Sequence, residues 1–147
     1  MPSADEARTP GKIRIVIADD YPPFRHALQR VIEAEPDMAV VAALGDGAAA
    51  LAEIRRLAPE VAVLDVRMPG LDGIEVALRL AEEQLRARAV IVTLHWDRPL
   101  FERAIAAGVS GYLAKETALS DVVDAVRTVA RGQTYVAPAL AAGLSGR

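Results

Sequence analysis

Five polar residues stand at the ends of short apolar runs and could do chemistry together: Asp19, Asp20, Asp65, Thr93 and Lys115. In an open parallel α/β sheet, the carboxyl ends of the strands meet at one edge, and functional residues lie there. If the apolar runs are strands of such a sheet, three carboxylates, a hydroxyl and an ammonium group converge at that edge.

Three carboxylates at such close range repel one another and raise at least one pKa unless a cation joins them. Cysteine is absent from the chain and histidine from these five positions, so the ligands on offer are oxygens. Oxygen ligands favour Mg²⁺ over zinc or copper. The three aspartates and the lysine leave two negative charges, which one Mg²⁺ neutralises. Such a site suits a phosphoryl group held by metal, lysine and hydroxyl.

A single aspartate after an apolar run is weak evidence of a site. Aspartate is a common turn and helix-capping residue on purely local grounds. The conjunction of all five residues, rather than any one of them, therefore carries the inference.

From Lys12 onward, short apolar runs alternate with longer segments whose apolar residues recur at helical spacing. This order predicts five βα units around a parallel sheet. Several runs are almost wholly valine, isoleucine, leucine and alanine, as expected when helices cover both faces of the sheet. The predicted strands are residues 12–18, 38–44, 61–65, 89–94 and 109–114.

Prolines and glycines agree with this division. Pro22 and Pro23 fit the first turn of a helix, where a missing N–H costs nothing. Gly108 and Gly132 follow helical runs, where a left-handed cap is expected. The last predicted helix has an apolar side formed by Leu119, Val122, Val123, Val126 and Val129.

Length and composition exclude several classes of protein. The 147 residues suit one domain, and 52% hydrophobic with 25% charged residues is ordinary for a globular chain. No apolar run approaches the roughly 18 residues of a membrane helix, and the N-terminus lacks the apolar stretch of a secretory signal. We expect a cytoplasmic protein without membrane contacts. A net charge of −3 gives no basic surface, so the chain alone is not expected to bind nucleic acid.

Four motifs together resemble the receiver domain of bacterial two-component response regulators: IADD (17–20), LDVRMPGLDG (64–73), VTLH (92–95) and GYLAK (111–115). The resemblance implies a flavodoxin-like (βα)5 fold, a doubly wound parallel sheet with strand order 2-1-3-4-5. It covers residues 12–132. We therefore expect residues 1–11 to be a flexible tail and residues 133–147 to be a linker remnant or C-terminal tail.

The resemblance also implies a role for each acidic residue. Asp65 resembles the phospho-acceptor, which takes a phosphoryl group from the phosphohistidine of a sensor histidine kinase. Asp20 resembles the direct ligand of Mg²⁺, and Asp19 is expected to assist through a water molecule. Asp65 and the backbone carbonyl of Arg67 would complete the protein's share of the metal site.

Three further residues acquire roles in the same way. Lys115 would contact the phosphoryl oxygens, and Thr93 would move to hydrogen-bond the phosphate. Tyr112 resembles the aromatic switch residue that turns inward behind the threonine. Leu94 and His95 after Thr93, together with Glu116 after Lys115, resemble the NarL/FixJ type of regulator, whose receivers precede a helix-turn-helix DNA-binding domain.

The leading hypothesis is a phosphorylation-dependent switch rather than a conventional enzyme. Its partners would be a cognate histidine kinase and, on phosphorylation, a second copy of the chain, paired through the first and fifth helices. DNA would be contacted through a C-terminal domain, for which the 15 residues after Gly132 are too few. A stand-alone receiver that acts by protein contacts is the alternative.

Two other classes of protein fit these residues less well. A Mg²⁺-dependent phosphatase of the haloacid dehalogenase kind also uses an aspartate nucleophile, but it usually needs a second acid two residues later, where this chain has Arg67. A flavodoxin-like cofactor binder needs a first loop rich in glycine, serine or threonine, and DDYPPF does not provide one.

Overall fold

The computed structural model describes residues 11–145, in which strands and helices alternate along the chain. Of the predicted N-terminal tail, residues 1–11, only Gly11 lies within this range. Residues 146 and 147 of the predicted C-terminal tail also lie outside it. The strands are β1 (Ile13–Ala18), β2 (Met38–Leu44), β3 (Val61–Asp65), β4 (Arg88–Thr93), β5 (Gly111–Ala114) and β6 (Tyr135–Val136). The helices are α1 (Pro22–Glu33), α2 (Gly47–Leu57), α3 (Gly73–Glu82), α4 (Arg98–Ala106), α5 (Ala118–Ala130) and α6 (Pro138–Ser145).

All strand pairs are parallel, and the strand order is β2-β1-β3-β4-β5-β6. The predicted order 2-1-3-4-5 is confirmed, with one strand added at the edge. The chain moves outward from β1 to β2 and then crosses back to β3, so the direction of winding reverses between β1 and β3. Ligands of open α/β sheets bind at such a reversal.

The core lies on both faces of the sheet, which explains why the strand sequences are almost continuously apolar. Alternate residues of β1 enter different clusters. Val16 packs with α2, α3 and α4 on one face, whereas Ile15 and Ile17 pack with α1 and α5 on the other. The central strands β1, β3 and β4 are therefore buried up to their carboxyl ends.

Helix ends follow the predicted punctuation. Pro22 and Pro23 occupy the first two positions of α1. Gly108 and Gly132 have positive φ angles of 82° and 85°, after α4 and α5. Leu119 departs from the prediction, since it is 40% exposed. The buried stripe of α5 is centred on Ala118, Val122, Ala125, Val126 and Val129, which leaves Leu119 at its margin.

Residues 133–145 contain β6 and α6, whereas the sequence analysis expects a linker remnant or C-terminal tail from residue 133 onward. The Tyr135 N–H donates to the Ser110 carbonyl and the Ala137 N–H donates to the Tyr112 carbonyl, both at 2.9 Å. Ala137 is fully buried. A strand of two residues has no measurable periodicity, so no pattern could predict β6. Over residues 11–145, no helix combines the length and apolar character needed to cross a membrane.

Candidate functional site

Asp19 follows β1 and is held from three directions. Its N–H donates to the Leu44 carbonyl at 3.0 Å, its Oδ1 accepts from the Tyr21 N–H at 2.8 Å, and its carbonyl accepts from Arg25 Nη1 at 2.7 Å. Its Oδ2 is buried and forms no hydrogen bond with any described residue. Lys115 Nζ lies 3.3 Å from this oxygen and supplies charge without a well-directed bond.

Asp65 is the last residue of β3 and is also buried. Its Oδ2 lies 3.4 Å from Lys115 Nζ. The same ammonium group lies 4.8 Å from the centre of the Phe24 ring, a cation–π distance. Gly73 begins α3 against the backbone of Asp65, where a Cβ atom would come within 2.3 Å of the Asp65 carbonyl oxygen. Only glycine permits this approach.

Burial and charge together set the protonation of the site. Burial, followed by the nearby charge of Asp19, raises the pKa of Asp65 to about 6, although Lys115 opposes the shift. Burial alone would lower the pKa of Lys115, but the charges of Asp65 and Asp19 outweigh it and raise that pKa. The lysine is therefore cationic and the carboxylates remain in excess.

The three predicted carboxylates come together. Asp19, Asp20 and Asp65 each offer one oxygen, and these oxygens lie within 4.8 Å of one another. Asp20 is exposed, so the cluster can be reached from solvent. Lys115 Nζ is the cation beside the buried Oδ2 of Asp19, but one ammonium group cannot balance three carboxylates. A set of oxygen ligands with excess negative charge fits Mg²⁺.

The cluster opens into a cavity of about 720 Å³, whose lining includes Asp65, Arg67, Thr93, His95 and Lys115. Thr93 ends β4, and its Oγ1 accepts from the His95 N–H at a long 3.4 Å. The side chain of Arg67 is exposed. The cavity makes Asp65 accessible from solvent, with the Thr93 hydroxyl and the Lys115 ammonium group on its walls.

Tyr112 lies on β5 with its side chain already turned inward. It is 5% exposed, and its hydroxyl donates to the Val109 carbonyl at 3.0 Å. Its ring centre lies 5.6 Å from those of Trp96 and Phe101. Trp96 Nε1 donates to the Leu113 carbonyl at 2.9 Å. This aromatic cluster of Trp96, Phe101 and Tyr112 joins the segment after β4 to β5, which the sequence analysis did not anticipate.

Two arginine contacts at this edge were also missed. Arg25 of α1 reaches the Asp19 carbonyl, and Arg103 of α4 pairs with Asp72 at 3.2 Å. Asp72 in turn caps α3 in a reciprocal arrangement with Glu75. The Arg103 contact joins residues 31 positions apart, and the Arg25 contact depends on a side chain that reaches back from α1, so spacing gives no signal for either.

A doubly wound parallel sheet with an acidic cluster at its winding reversal places the protein in the flavodoxin-like class of α/β proteins. Comparison with known families is more specific. Residues 15–127 match the response regulator receiver domain, and the chain belongs to that family. The predicted family and fold are thereby confirmed.

The relatives are regulators of transcription by name. The chain is 38% identical over 137 residues to a Mycobacterium tuberculosis (strain H37Rv) protein named "Probable transcriptional regulatory protein NarL", covering 93% of this chain and 63% of the relative. It is 33% identical over 127 residues to the transcriptional regulatory protein DegU of Brevibacillus brevis, covering 86% and 54%. The chain thus spans between about half and two thirds of the length of these curated relatives.

Solved structures agree. The signal receiver domain of NarL from Mycobacterium tuberculosis superimposes with a TM-score of 0.81 at 36% identity, covering 84% of this chain and all of that one. A LuxR-family two-component response regulator from Aurantimonas sp. SI85-9A1 gives a TM-score of 0.85 at 31% identity, covering 92% and 96%. The chain is therefore a receiver domain of the NarL/LuxR type.

Proposed function

We propose that Asp65 is the phosphorylation site and accepts a phosphoryl group from the phosphohistidine of a sensor histidine kinase. A carboxylate oxygen of Asp65 forms the new bond to phosphorus as the bond from phosphorus to the kinase imidazole breaks, and the electron pair of that bond leaves with the imidazole. The observation that carries the proposal is the placement of Asp65, which meets Lys115 Nζ at 3.4 Å on the wall of an open cavity.

The neighbouring residues supply the remaining parts. We propose that Asp20 would bind Mg²⁺ directly and Asp19 through a water molecule. Asp65 and the backbone carbonyl of Arg67 would complete the protein's share of the metal site. When bound, the metal neutralises negative charge on the phosphoryl oxygens. The ammonium group of Lys115 provides a further positive charge next to the same oxygens. The close grouping of the three carboxylates and the hydrogen-bond deficit of Asp19 Oδ2 support this assignment.

Thr93 and Tyr112 are proposed to convert phosphorylation into a change of surface. The hydrogen bond from the His95 N–H to Thr93 Oγ1 is long at 3.4 Å, so little is lost when the hydroxyl turns to a phosphate. Movement of Thr93 carries the following residues, including Trp96, which contacts the ring of Tyr112. The signal then passes to β5 through the aromatic cluster.

The output proposed for the whole protein is control of transcription. The matched relatives are named transcriptional regulators and extend beyond the aligned segment. We assign DNA binding to an effector domain outside this chain, and we expect phosphorylation to favour a homodimer in the cytoplasm. A receiver that acts by protein contacts alone is the alternative output, and it uses the same chemistry at Asp65.

Intact-mass measurement after incubation with acetyl phosphate tests the acceptor assignment. We expect one phosphate adduct in the wild type with Mg²⁺, none with EDTA, and none in Asp65→Asn. Asp97→Asn is the matched control, because Asp97 lines the same cavity and asparagine still caps α4. It should be phosphorylated as in the wild type. An adduct in Asp65→Asn, or none in the wild type, overturns the proposal.

A further inference from the structure

Arg25 stands on α1, outside the cavity, yet it contacts the backbone on which the acidic cluster is built. Its Nη1 donates to the Asp19 carbonyl at 2.7 Å. We propose that Arg25 is a positioning residue, which orients Asp19 and Asp20 for Mg²⁺ without touching the metal. This inference rests on the proposed metal site.

The bond matters because of which carbonyl it holds. The Asp19 carbonyl belongs to the planar peptide unit that joins Asp19 to Asp20. Fixing the direction of this carbonyl therefore fixes the plane from which the Asp20 backbone departs. The Asp19 N–H and Oδ1 are held by Leu44 and Tyr21, so Arg25 completes the set of contacts around the pair.

The start of α1 prepares the arginine for this role. Pro22 and Pro23 restrict the backbone of the first turn, and the Arg25 N–H donates to the Tyr21 carbonyl at 3.0 Å. Side chains on a helix lean toward its N-terminus, which aims Arg25 back over six residues to Asp19. The guanidinium group also lies beside Gly45, where a Cβ atom would be in ordinary van der Waals contact with Nη1 at 3.4 Å.

Charge and position make opposite predictions for Mg²⁺ affinity. If Arg25 acted only as a cation near the cluster, its removal would reduce repulsion of Mg²⁺ and tighten binding. If Arg25 orients the two aspartates, its removal must weaken binding despite that relief. The sign of the change therefore distinguishes the positioning role from a general electrostatic effect.

The test is calorimetric titration of Mg²⁺ into the wild type, Arg25→Met, Arg25→Lys and Arg30→Met. Methionine keeps most of the apolar stem, lysine keeps the charge and a donor, and Arg30 is an exposed arginine on the same helix. We expect the dissociation constant to rise about three- to tenfold in Arg25→Met, as for the loss of one hydrogen bond. It should be largely restored in Arg25→Lys and unchanged or slightly lower in Arg30→Met.

A second readout separates positioning from a general loss of structure. In Arg25→Met, the Mg²⁺ concentration for half-maximal phosphorylation by acetyl phosphate should rise by the same factor, while the rate at saturating Mg²⁺ stays near that of the wild type. If Arg25→Met is unfolded by circular dichroism, Arg25→Gln replaces it with the same expectation. Equal or tighter Mg²⁺ binding in the neutral variants overturns the role of Arg25. Absence of Mg²⁺ binding in the wild type instead overturns the proposed function, and this inference with it.

Discussion

Lys115 Nζ lies 3.4 Å from Asp65 Oδ2. Lys115 follows β5 and Asp65 ends β3, and β4 lies between these two strands in the sheet. The same ammonium group lies 3.3 Å from Asp19 Oδ2. One cation therefore bridges two buried carboxylates that come from different strands. Because both carboxylates are almost completely shielded from water, this bridge matters more than an exposed ion pair would.

Replacement of Lys115 by methionine should destabilise the metal-free protein at pH 7. The variant leaves two carboxylates at close range without their cation, and we expect the free energy of unfolding to fall by about 1–3 kcal/mol, as for buried acceptors that lose their partner. Urea unfolding in EDTA measures the loss. Lys115→Arg keeps a cation at the position and should lose less. Equal stability of the wild type and Lys115→Met would contradict the bridging role.

Asp65→Asn should stabilise the protein in EDTA, in a pH-dependent way. The folded-state pKa of about 6 lies above the usual 3.8, so the folded protein holds this proton more tightly than the unfolded chain does. Ionisation of Asp65 therefore destabilises the fold, with no cost below about pH 4 and the full cost above about pH 6. We expect the variant to gain about 1–3 kcal/mol at pH 7 and nothing at pH 4. A pH-independent difference in urea stability would argue against the raised pKa.

Gly73→Ala should be strongly destabilising, because the new Cβ atom would meet the Asp65 carbonyl oxygen at 2.3 Å. Backbone on both sides cannot yield cheaply, so we expect a loss of more than about 2 kcal/mol. Gly70→Ala serves for comparison. Gly70 has a φ of +78°, which costs an alanine about 1–2 kcal/mol of backbone strain, but its Cβ would make only ordinary contacts at 3.8 Å. Thermal unfolding should rank Gly73→Ala well below Gly70→Ala, and the reverse order would refute the close packing of α3 on β3.

Trp96 should report on phosphorylation through its fluorescence. Its indole N–H donates a hydrogen bond to the Leu113 carbonyl. Its ring packs against Tyr112 and against Phe101, with a centroid distance of 4.4 Å to Phe101. Movement of Thr93 toward a phosphate must shift this ring. We expect the emission to change when Mg²⁺ and beryllofluoride, a phosphate mimic, are added to the wild type but not to Asp65→Asn. A response in both proteins would show that the signal reports the additives rather than the site.

The sequence predicted the fold and the meeting of the acidic residues for a simple physical reason. Strands covered on both faces are nearly continuous apolar runs, and the observed strand ends agree with the predicted ones within one or two residues. Once the order of βα units is known, the carboxyl ends of parallel strands must meet. Asp19, Asp20 and Asp65 come together because the strand order, which the family resemblance implied, places β1 beside β3.

Other features depend on side chains that cross between elements, and no local pattern encodes them. Arg25 reaches back from α1 to the Asp19 carbonyl, and Trp96 Nε1 donates to the Leu113 carbonyl 17 residues away. Whether Leu119 is buried depends on where the centre of the buried stripe of α5 lies. The apolar pattern of the sequence did not define that centre to within one residue.

The most direct test of the account locates the phosphoryl group chemically. Aspartyl phosphate formed with acetyl phosphate and Mg²⁺ can be reduced with borohydride, which converts the phosphorylated aspartate to homoserine and leaves the others unchanged. Peptide mass spectrometry then identifies the converted position. The account predicts homoserine at residue 65 alone. Homoserine at Asp19, Asp20 or Asp97, or its absence from residue 65 in protein that carries the phosphate, would contradict it.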